Sequence, residues 1–220
     1  MSLPPAFADT FNDDVLGAVP ANVAGRFGAT IQSDPGAILV TGKVESRAVV
    51  QVVDAMNPGG HLERVLRVSD AMLGGNGHSE VTILPVNATG KVSLRFNIRL
   101  AKLAGDIFKL TVADNRTTPG TGRLSVASVL QSGLLVVQGS EVPFFVEPGV
   151  RYHVGVDFDL TGVEDTFSIH VQPIDGGIGF HKGGFVLSVD ATMITDVTFS
   201  LSDGGKGAFD LDDVRVLHGI

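Results

Sequence analysis

The stretch Lys91-Val-Ser-Leu-Arg-Phe-Asn-Ile-Arg-Leu100 alternates polar and apolar side chains from its first residue to its last. A β-strand places successive side chains on opposite faces, so this alternation predicts a strand with one buried and one wet face. Ala104-Gly105-Asp106 is a turn signal, and the alternation resumes at Phe108, Leu110 and Val112. The two runs together predict a long antiparallel hairpin.

The same period returns in the second half of the chain. It runs through Tyr152–Leu160, again through Thr166–Val171 after a turn at Gly162–Asp165, and once more through Val197–Leu201. No segment has the capped, ten-residue period of 3.6 that indicates a helix, and no linker divides the chain. The patterns predict an all-β, two-sheet antiparallel sandwich in one domain over residues 1–220. The inward phase predicts a core that contains Val92, Leu94, Phe96, Ile98, Phe108, Leu110, Val154, Val156, Phe158, Phe167, Ile169, Phe199 and Leu211.

Composition and charge narrow the classes of function. The 220 residues are 44% apolar and carry a formal net charge of −8, which disfavours a nucleic acid or an anionic membrane as partner. The absence of cysteine excludes disulfides, thiol catalysis and cysteine-ligated metals. No apolar run reaches the length of a membrane helix, and the first residues do not have the pattern of a signal peptide. The compartment stays open, and an extracellular or virion-surface location is the favoured expectation.

Three segments carry a resemblance to a known family. They are Phe7–Pro20, the pair Gly149–Asp159 with Thr166–Val171, and Gly207–Val216. In this order they resemble the first strand, the central hairpin and the last strand of concanavalin A-like and laminin G-like jelly-roll domains. The resemblance implies that the last strand lies beside the first and brings the termini together. It implies no single function, because this fold serves lectins, hydrolases, lyases and structural shells.

Carboxylates near the two ends form the candidate metal site. Asp9 and Asp13 lie near the start, and Asp210, Asp212 and Asp213 lie near the end. If the terminal strands pair, these oxygen ligands converge in a way that suits Ca²⁺, and the resemblance implies a structural calcium there. The alternative is a set of solvated acids that keep sheet edges from pairing with other chains.

The last strand also changes phase. Phe209 and Leu211 lie in the inward phase, but so do Val214 and Val216, which leaves one extra residue at Asp212–Asp213. An extra residue in one strand of an antiparallel pair predicts a β-bulge at this position.

Polar side chains on the outward phases are weak evidence for catalysis. Glycoside cleavage needs two suitably spaced carboxylates, and lyase chemistry needs a base with a charge-neutralising partner. The Glu-x-Asp-x-x-Glu strand of the related hydrolases is absent, and His170-Val-Gln172 reverses the Gln-x-His order of the related lyases. Arg95 and Arg99 lie on another outward face. The sequence therefore predicts a protein that is not an enzyme, with these four residues as binding candidates.

Apolar residues in loops supply the remaining candidates. The consecutive Phe144 and Phe145 cannot both point inward, and Ile178 and Phe180 lie in a glycine-rich segment. Tryptophan is absent and tyrosine occurs once, so aromatic platforms for sugars are scarce. The leading hypothesis is a non-catalytic surface recognition module that binds a glycan or another protein. The alternatives are a structural or decoration protein of a particle such as a phage virion, with homo-oligomer or particle contacts, and a polysaccharide lyase or glycoside hydrolase.

Overall fold

The structure of the chain is a computed structural model. It describes residues 7–12, 16, 37–42, 49–56, 60–69, 79–84, 86–101, 103, 107–114, 123–187, 191–202 and 207–218. Within these ranges no helix is long and apolar enough to cross a membrane.

The regular structure in these ranges consists of sixteen β-strands. They are β1 (Phe7–Asp9), β2 (Ala37–Gly42), β3 (Val49–Met56), β4 (Leu62–Ser69), β5 (Ser79–Leu84), β6 (Ala88–Thr89), β7 (Lys91–Leu100), β8 (Ile107–Asp114), β9 (Leu124–Val129), β10 (Leu134–Val137), β11 (Ser140–Phe145), β12 (Arg151–Asp159), β13 (Thr166–Pro173), β14 (Phe180–Val186), β15 (Met193–Ser202) and β16 (Ala208–His218).

The strands form two antiparallel sheets of eight strands each. The first sheet has the order β14-β13-β12-β7-β16-β4-β3, with β1 paired to β16. The second has the order β11-β10-β9-β8-β15-β5-β2, with β6 paired to β15. The prediction of an all-β, two-sheet sandwich is confirmed, and so is the pairing of the first strand with the last.

The core lies between the sheets, where the apolar phases of the strands meet. Every residue that the inward phase assigned to the core is buried. Phe96 of the first sheet contacts Phe199 of the second edge to face, with ring centroids 5.0 Å apart. Aromatic rings prefer this arrangement, and the contact packs the two sheets against each other near the middle of the sandwich.

The predicted hairpin between β7 and β8 is wrong. β7 pairs with β12 and β16 in the first sheet, whereas β8 pairs with β9 and β15 in the second. Both strands turn an apolar face to the same core, so their alternation is the same whether they pair or lie in opposite layers. The hairpin predicted from Gly149–Asp159 and Thr166–Val171 does form, as β12 and β13.

The predicted bulge in the last strand is present. Asp212 pairs with Asn97, and the register then shifts so that Arg215 pairs with Arg95. Asp213, between them, has a φ of 50°. The bulge restores the inward phase of Val214 while it leaves Asp212 on the outer side of the first sheet.

Candidate binding face and cleft

Charged and hydrogen-bonding side chains cover the outer side of the first sheet. The strand alternation that buries one phase turns the other outward, and the cross-strand register sets these polar residues side by side. We call this surface the polar face, and its residues are Glu63, Arg67, Arg95, Asn97, Arg99, Arg151, His153, Asp157, His170, Gln172, Asp210 and Asp212.

Asp210 is held between two arginines. Its carboxylate accepts hydrogen bonds from Arg67 Nε at 2.7 Å and from Arg99 Nη2 at 2.5 Å. The residue is only 7% exposed, so most of its charge is compensated by these two guanidinium groups and not by water. The hydrogen bond with Asp210 also raises the pKa of Arg67.

A second ion-paired group lies beside the first. Arg151 donates from Nη2 to Asp212 Oδ2 at 2.5 Å and also pairs with Glu63. Burial raises the pKa of Asp212 and outweighs the opposing charge of Arg151. The other oxygen of this carboxylate, Oδ1, is buried and has no hydrogen-bond partner. Such an acceptor is costly to leave unsatisfied, and Asp212 shares this feature with Glu63, whose Oε1 is also buried without a hydrogen bond.

These groups border a cleft of about 180 Å³. That volume is well above the roughly 10–15 Å³ that admits one water molecule, so the cleft has room for a small ligand. Its floor is formed by β4, β16, β7 and β12, and its end by the turn after β13. We call it the Asp212 cleft, and it is bordered by Met56, Glu63, Asn97, Arg151, Asp175 and Asp212.

Imidazole and amide groups occupy the part of the polar face next to the cleft. His153 Nδ1 lies 3.0 Å from Asn97 Oδ1, and the ring centroids of His153 and His170 are 5.7 Å apart. The ring of His170 covers Gly155, whose missing side chain makes the space. Burial lowers the pKa of His170, and the nearby charge of Arg95 lowers it further.

Asp157 lies at the far end of this row and is well satisfied. It accepts hydrogen bonds from Ser93 Oγ at 2.5 Å and from Arg95 Nη2 at 2.6 Å. Burial alone would raise its pKa, but the hydrogen bonds from Ser93 and Arg95 outweigh burial, and the pKa is lowered. The group is an ionised structural carboxylate at neutral pH.

The four polar binding candidates lie on one face and not on two. Arg95 and Arg99 were expected on a separate outward face, but their strand is bonded to β12, and β12 to β13, which carries His170 and Gln172. Gln172 donates from Nε2 to the carbonyl of Gly177 at 3.1 Å and so is committed to its own turn.

Several polar-face residues were missed at the sequence level. Arg151 and His153 share the outward phase of Asp157, so the alternation could have identified them, as it could have identified Asn97 between Arg95 and Arg99. Glu63 could not be found in this way, because its strand carries no clear alternation in the sequence.

The predicted calcium ligands are placed in different surroundings. Asp9 pairs with Val214 through the backbone, its side chain lies outside the described part, and Asp13 lies wholly outside it. Asp210 and Asp212 face arginines, and Asp213 pairs with Arg215 at 2.6 Å. Guanidinium groups at these oxygens do not fit a calcium site. Among the residues that the structure describes, no group of three or more histidine, aspartate or glutamate side chains could hold a metal ion.

The predicted apolar contact residues divide into two kinds. Phe144 and Phe180 are partly buried against the core and contact each other, with ring centroids 5.8 Å apart. Phe145, the next residue, is 59% exposed, and Ile178 is 90% exposed. The expectation that the two consecutive phenylalanines cannot both point inward is correct, and of the four predicted contact residues Phe145 and Ile178 are the exposed ones.

Comparison with known proteins identifies the fold. No protein-family model matches the chain, and no curated protein matches it in sequence. Among solved structures, lectin II from Ulex europaeus is similar with a TM-score of 0.50 and 9% identity, over 97% of this chain and 99% of that one. The winged bean acidic lectin in complex with methyl-α-D-galactose has a TM-score of 0.49 and 12% identity over 79% and 92%. An exo-β-agarase has a TM-score of 0.43 and 12% identity, and the match spans 26% of its length.

Proposed function

We propose that this chain is a single-domain, non-catalytic carbohydrate-recognition module that binds a glycan across the polar face. The observation that carries the proposal is the row of Asn97, His153 and His170 on the neighbouring strands β7, β12 and β13. Side chains held on strands of a sheet are positioned more rigidly than side chains on loops, as a binding site requires.

The chemistry of this row matches that of a sugar. Amide and imidazole groups both donate and accept hydrogen bonds, as sugar hydroxyls do. The two imidazole rings also provide flat surface for the C–H faces of a pyranose, a role that tryptophan and tyrosine usually fill. The similarity in fold to lectin II from Ulex europaeus supports the same proposal.

Two carboxylates of the polar face, Asp157 and Asp210, favour binding over catalysis. A glycosidase needs one carboxyl group with a raised pKa and a second carboxylate at a fixed separation. The pKa of Asp157 is lowered, and Asp210 is shared by two arginines, so neither fits the role of the acid.

A glycoside hydrolase is the second candidate, and one observation favours it. Asp212 has a raised pKa, and Glu63 binds the same arginine, so two of the carboxyl groups at the cleft are held close together by Arg151. Release of reducing ends from a panel of neutral polysaccharides, abolished in Asp212→Asn, would identify an enzyme and refute the non-catalytic proposal.

The test of recognition is a glycan microarray followed by titration calorimetry with the oligosaccharides that are retained. Asn97→Ala and His153→Ala should each weaken binding at least about 10-fold, since each removes hydrogen bonds worth about 1.5 kcal/mol. Lys109→Ala, on the second sheet, is the matched control and should leave the affinity unchanged. A protein that retains no glycan, or whose binding survives both variants, would contradict the proposal.

A further inference from the structure

We propose that the Asp212 cleft accepts an uncharged sugar unit through its hydroxyl groups and rejects uronic acid units. This inference rests on the proposed carbohydrate-recognition function and adds the place and the chemical class of the ligand.

The charge of the cleft argues against an acidic sugar. The side chains that line it include more carboxylates than guanidinium groups. Both guanidinium groups in the lining are already engaged, Arg99 by Asp210 and Arg151 by Asp212 and Glu63. A uronate would therefore meet excess negative charge and, among the described lining residues, no cation that is not already paired. The carboxylates are Glu63, Asp175, Asp210 and Asp212.

The carboxylate of Asp212 supplies the specific attraction. The residue is 8% exposed, it lines the cleft, and its Oδ1 atom has no hydrogen-bond partner. A buried acceptor of this kind gains most from a ligand that brings a donor. A sugar hydroxyl donates a hydrogen bond, whereas the carboxylate of a uronate can only accept.

Apolar side chains at the rim add a second feature of a ligand site. Met56 and Val65 both line the cleft, and Met56 is 63% exposed. The turn after β13 lies at the end of the cleft, since Ile174 N donates to the carbonyl of Arg151 and Asp175 lines the cleft. Ligand sites combine apolar walls with a few oriented polar groups, and the C–H faces of a neutral pyranose suit such walls.

The experiment compares neutral and acidic oligosaccharides of matched linkage and length. β-1,4-Mannohexaose and cellohexaose form the neutral set, and the β-1,4-linked hexamers of mannuronate and glucuronate form the acidic set. We expect at least one neutral hexamer to bind in calorimetry and every acidic hexamer to bind at least about 10-fold more weakly, a difference of about 1.4 kcal/mol.

Two variants locate the neutral sugar in the cleft. Asp212→Asn replaces one carboxylate oxygen with an amide and should weaken neutral-sugar binding at least about 10-fold, while Asp213→Asn, on the adjacent bulge, should leave it unchanged. Because Asp212→Asn also disturbs the pair with Arg151, Met56→Ser at the exposed rim serves as a second variant. It should weaken binding several-fold without a change in the melting temperature.

The outcomes separate the two proposals. Tighter binding of an acidic hexamer would overturn the inference and leave carbohydrate recognition standing. Neutral-sugar binding that survives both Asp212→Asn and Met56→Ser would overturn it as well, because the sugar would then lie elsewhere on the polar face. Failure of both sets to bind, together with an empty glycan microarray, would refute the proposed function itself.

Discussion

The imidazole ring of His170 lies directly over Gly155, its cross-strand partner, so a Cβ atom at position 155 would overlap the ring. Replacement of a strand glycine by alanine ordinarily stabilises a protein by about 0.5–1 kcal/mol. Here overpacking against His170 should dominate, at about 1–3 kcal/mol of lost stability. We therefore expect Gly155→Ala to lower the free energy of unfolding in denaturant titrations, and to weaken glycan binding because His170 must move.

A double variant isolates this contact from other effects at position 155. In Gly155→Ala/His170→Ala the ring is absent, so the added methyl group should cost far less than it does alone. A double-mutant cycle measures the difference as a coupling free energy. A coupling near zero would show that the ring and the glycine are not in conflict.

The core makes a second prediction. Phe96 is 1% exposed and packs edge to face on Phe199, so Phe96→Ala should cost about 3–5 kcal/mol of unfolding free energy. Phe145 is 59% exposed, and Phe145→Ala should stay within about 0.5 kcal/mol. Equal losses in the two variants would contradict the assignment of the core.

These core residues also show what the sequence could predict. The alternation over residues 91–100 assigns Phe96 to the buried face, because only one of the two faces of this strand is apolar. The same alternation says nothing about which strand lies beside it. The pairing of β7 with β12 and β16, and not with β8, depends on contacts between segments far apart in the chain.

The candidate site could be predicted only in part, because alternation does not show which strands are neighbours. Outward phase identified Arg95, Arg99 and His170, yet their convergence required the strand order. The expected convergence of terminal carboxylates predicts Asp210 as a calcium ligand, and its arginine partner Arg67, 143 residues away in sequence, is not apparent from the sequence. The sequence identifies the acidic residue, but it does not identify the distant cation that neutralises its charge in the folded protein.

The pH dependence of stability gives a third prediction. The folded pKa of His170 is lowered by burial and by Arg95, so the folded state disfavours its protonation. Its contribution to stability is therefore present above the unfolded pKa of about 6.5 and is lost as the pH falls through the folded value. The groups that face it are Arg95, His153, Asp157 and His181.

The measurement compares unfolding free energies of wild type and His170→Gln between pH 4.5 and 8. The wild type should lose stability on acidification, and the variant should lose less over the same range. His61→Gln is the control, since β12, β7 and β16 lie between its hairpin and β13. A variant with the same pH dependence as wild type would exclude His170 as the source.

The response to calcium is a fourth prediction. The β16 carboxylates are held by Arg67, Arg99 and Arg151, so added Ca²⁺ would have to displace arginines to bind them. We expect the same melting temperature in EDTA and in millimolar calcium. A higher melting temperature in calcium than in EDTA would instead indicate a site that uses Asp9 or Asp13. A ligand present at 100 times its dissociation constant adds about 2.7 kcal/mol to the free energy of unfolding.

The arginine clamp on Asp210 gives the last prediction. Asp210→Asn keeps the size of the side chain but removes the charge that holds Arg67 and Arg99 together, and it leaves two like charges facing each other. Because the aspartate is buried and both arginines are about a third exposed, we expect a loss of about 1–3 kcal/mol, less than for a fully buried pair. Asp213→Asn removes the same charge from a more exposed pair with Arg215, and should cost less than about 1 kcal/mol. Asparagine also tolerates the φ of 50° at that bulge, so backbone strain does not affect the control.

Removal of one cation in Asp210→Asn/Arg67→Leu should restore part of the lost stability in urea titrations. A double variant no more stable than Asp210→Asn would mean that repulsion between the arginines is not what the carboxylate offsets.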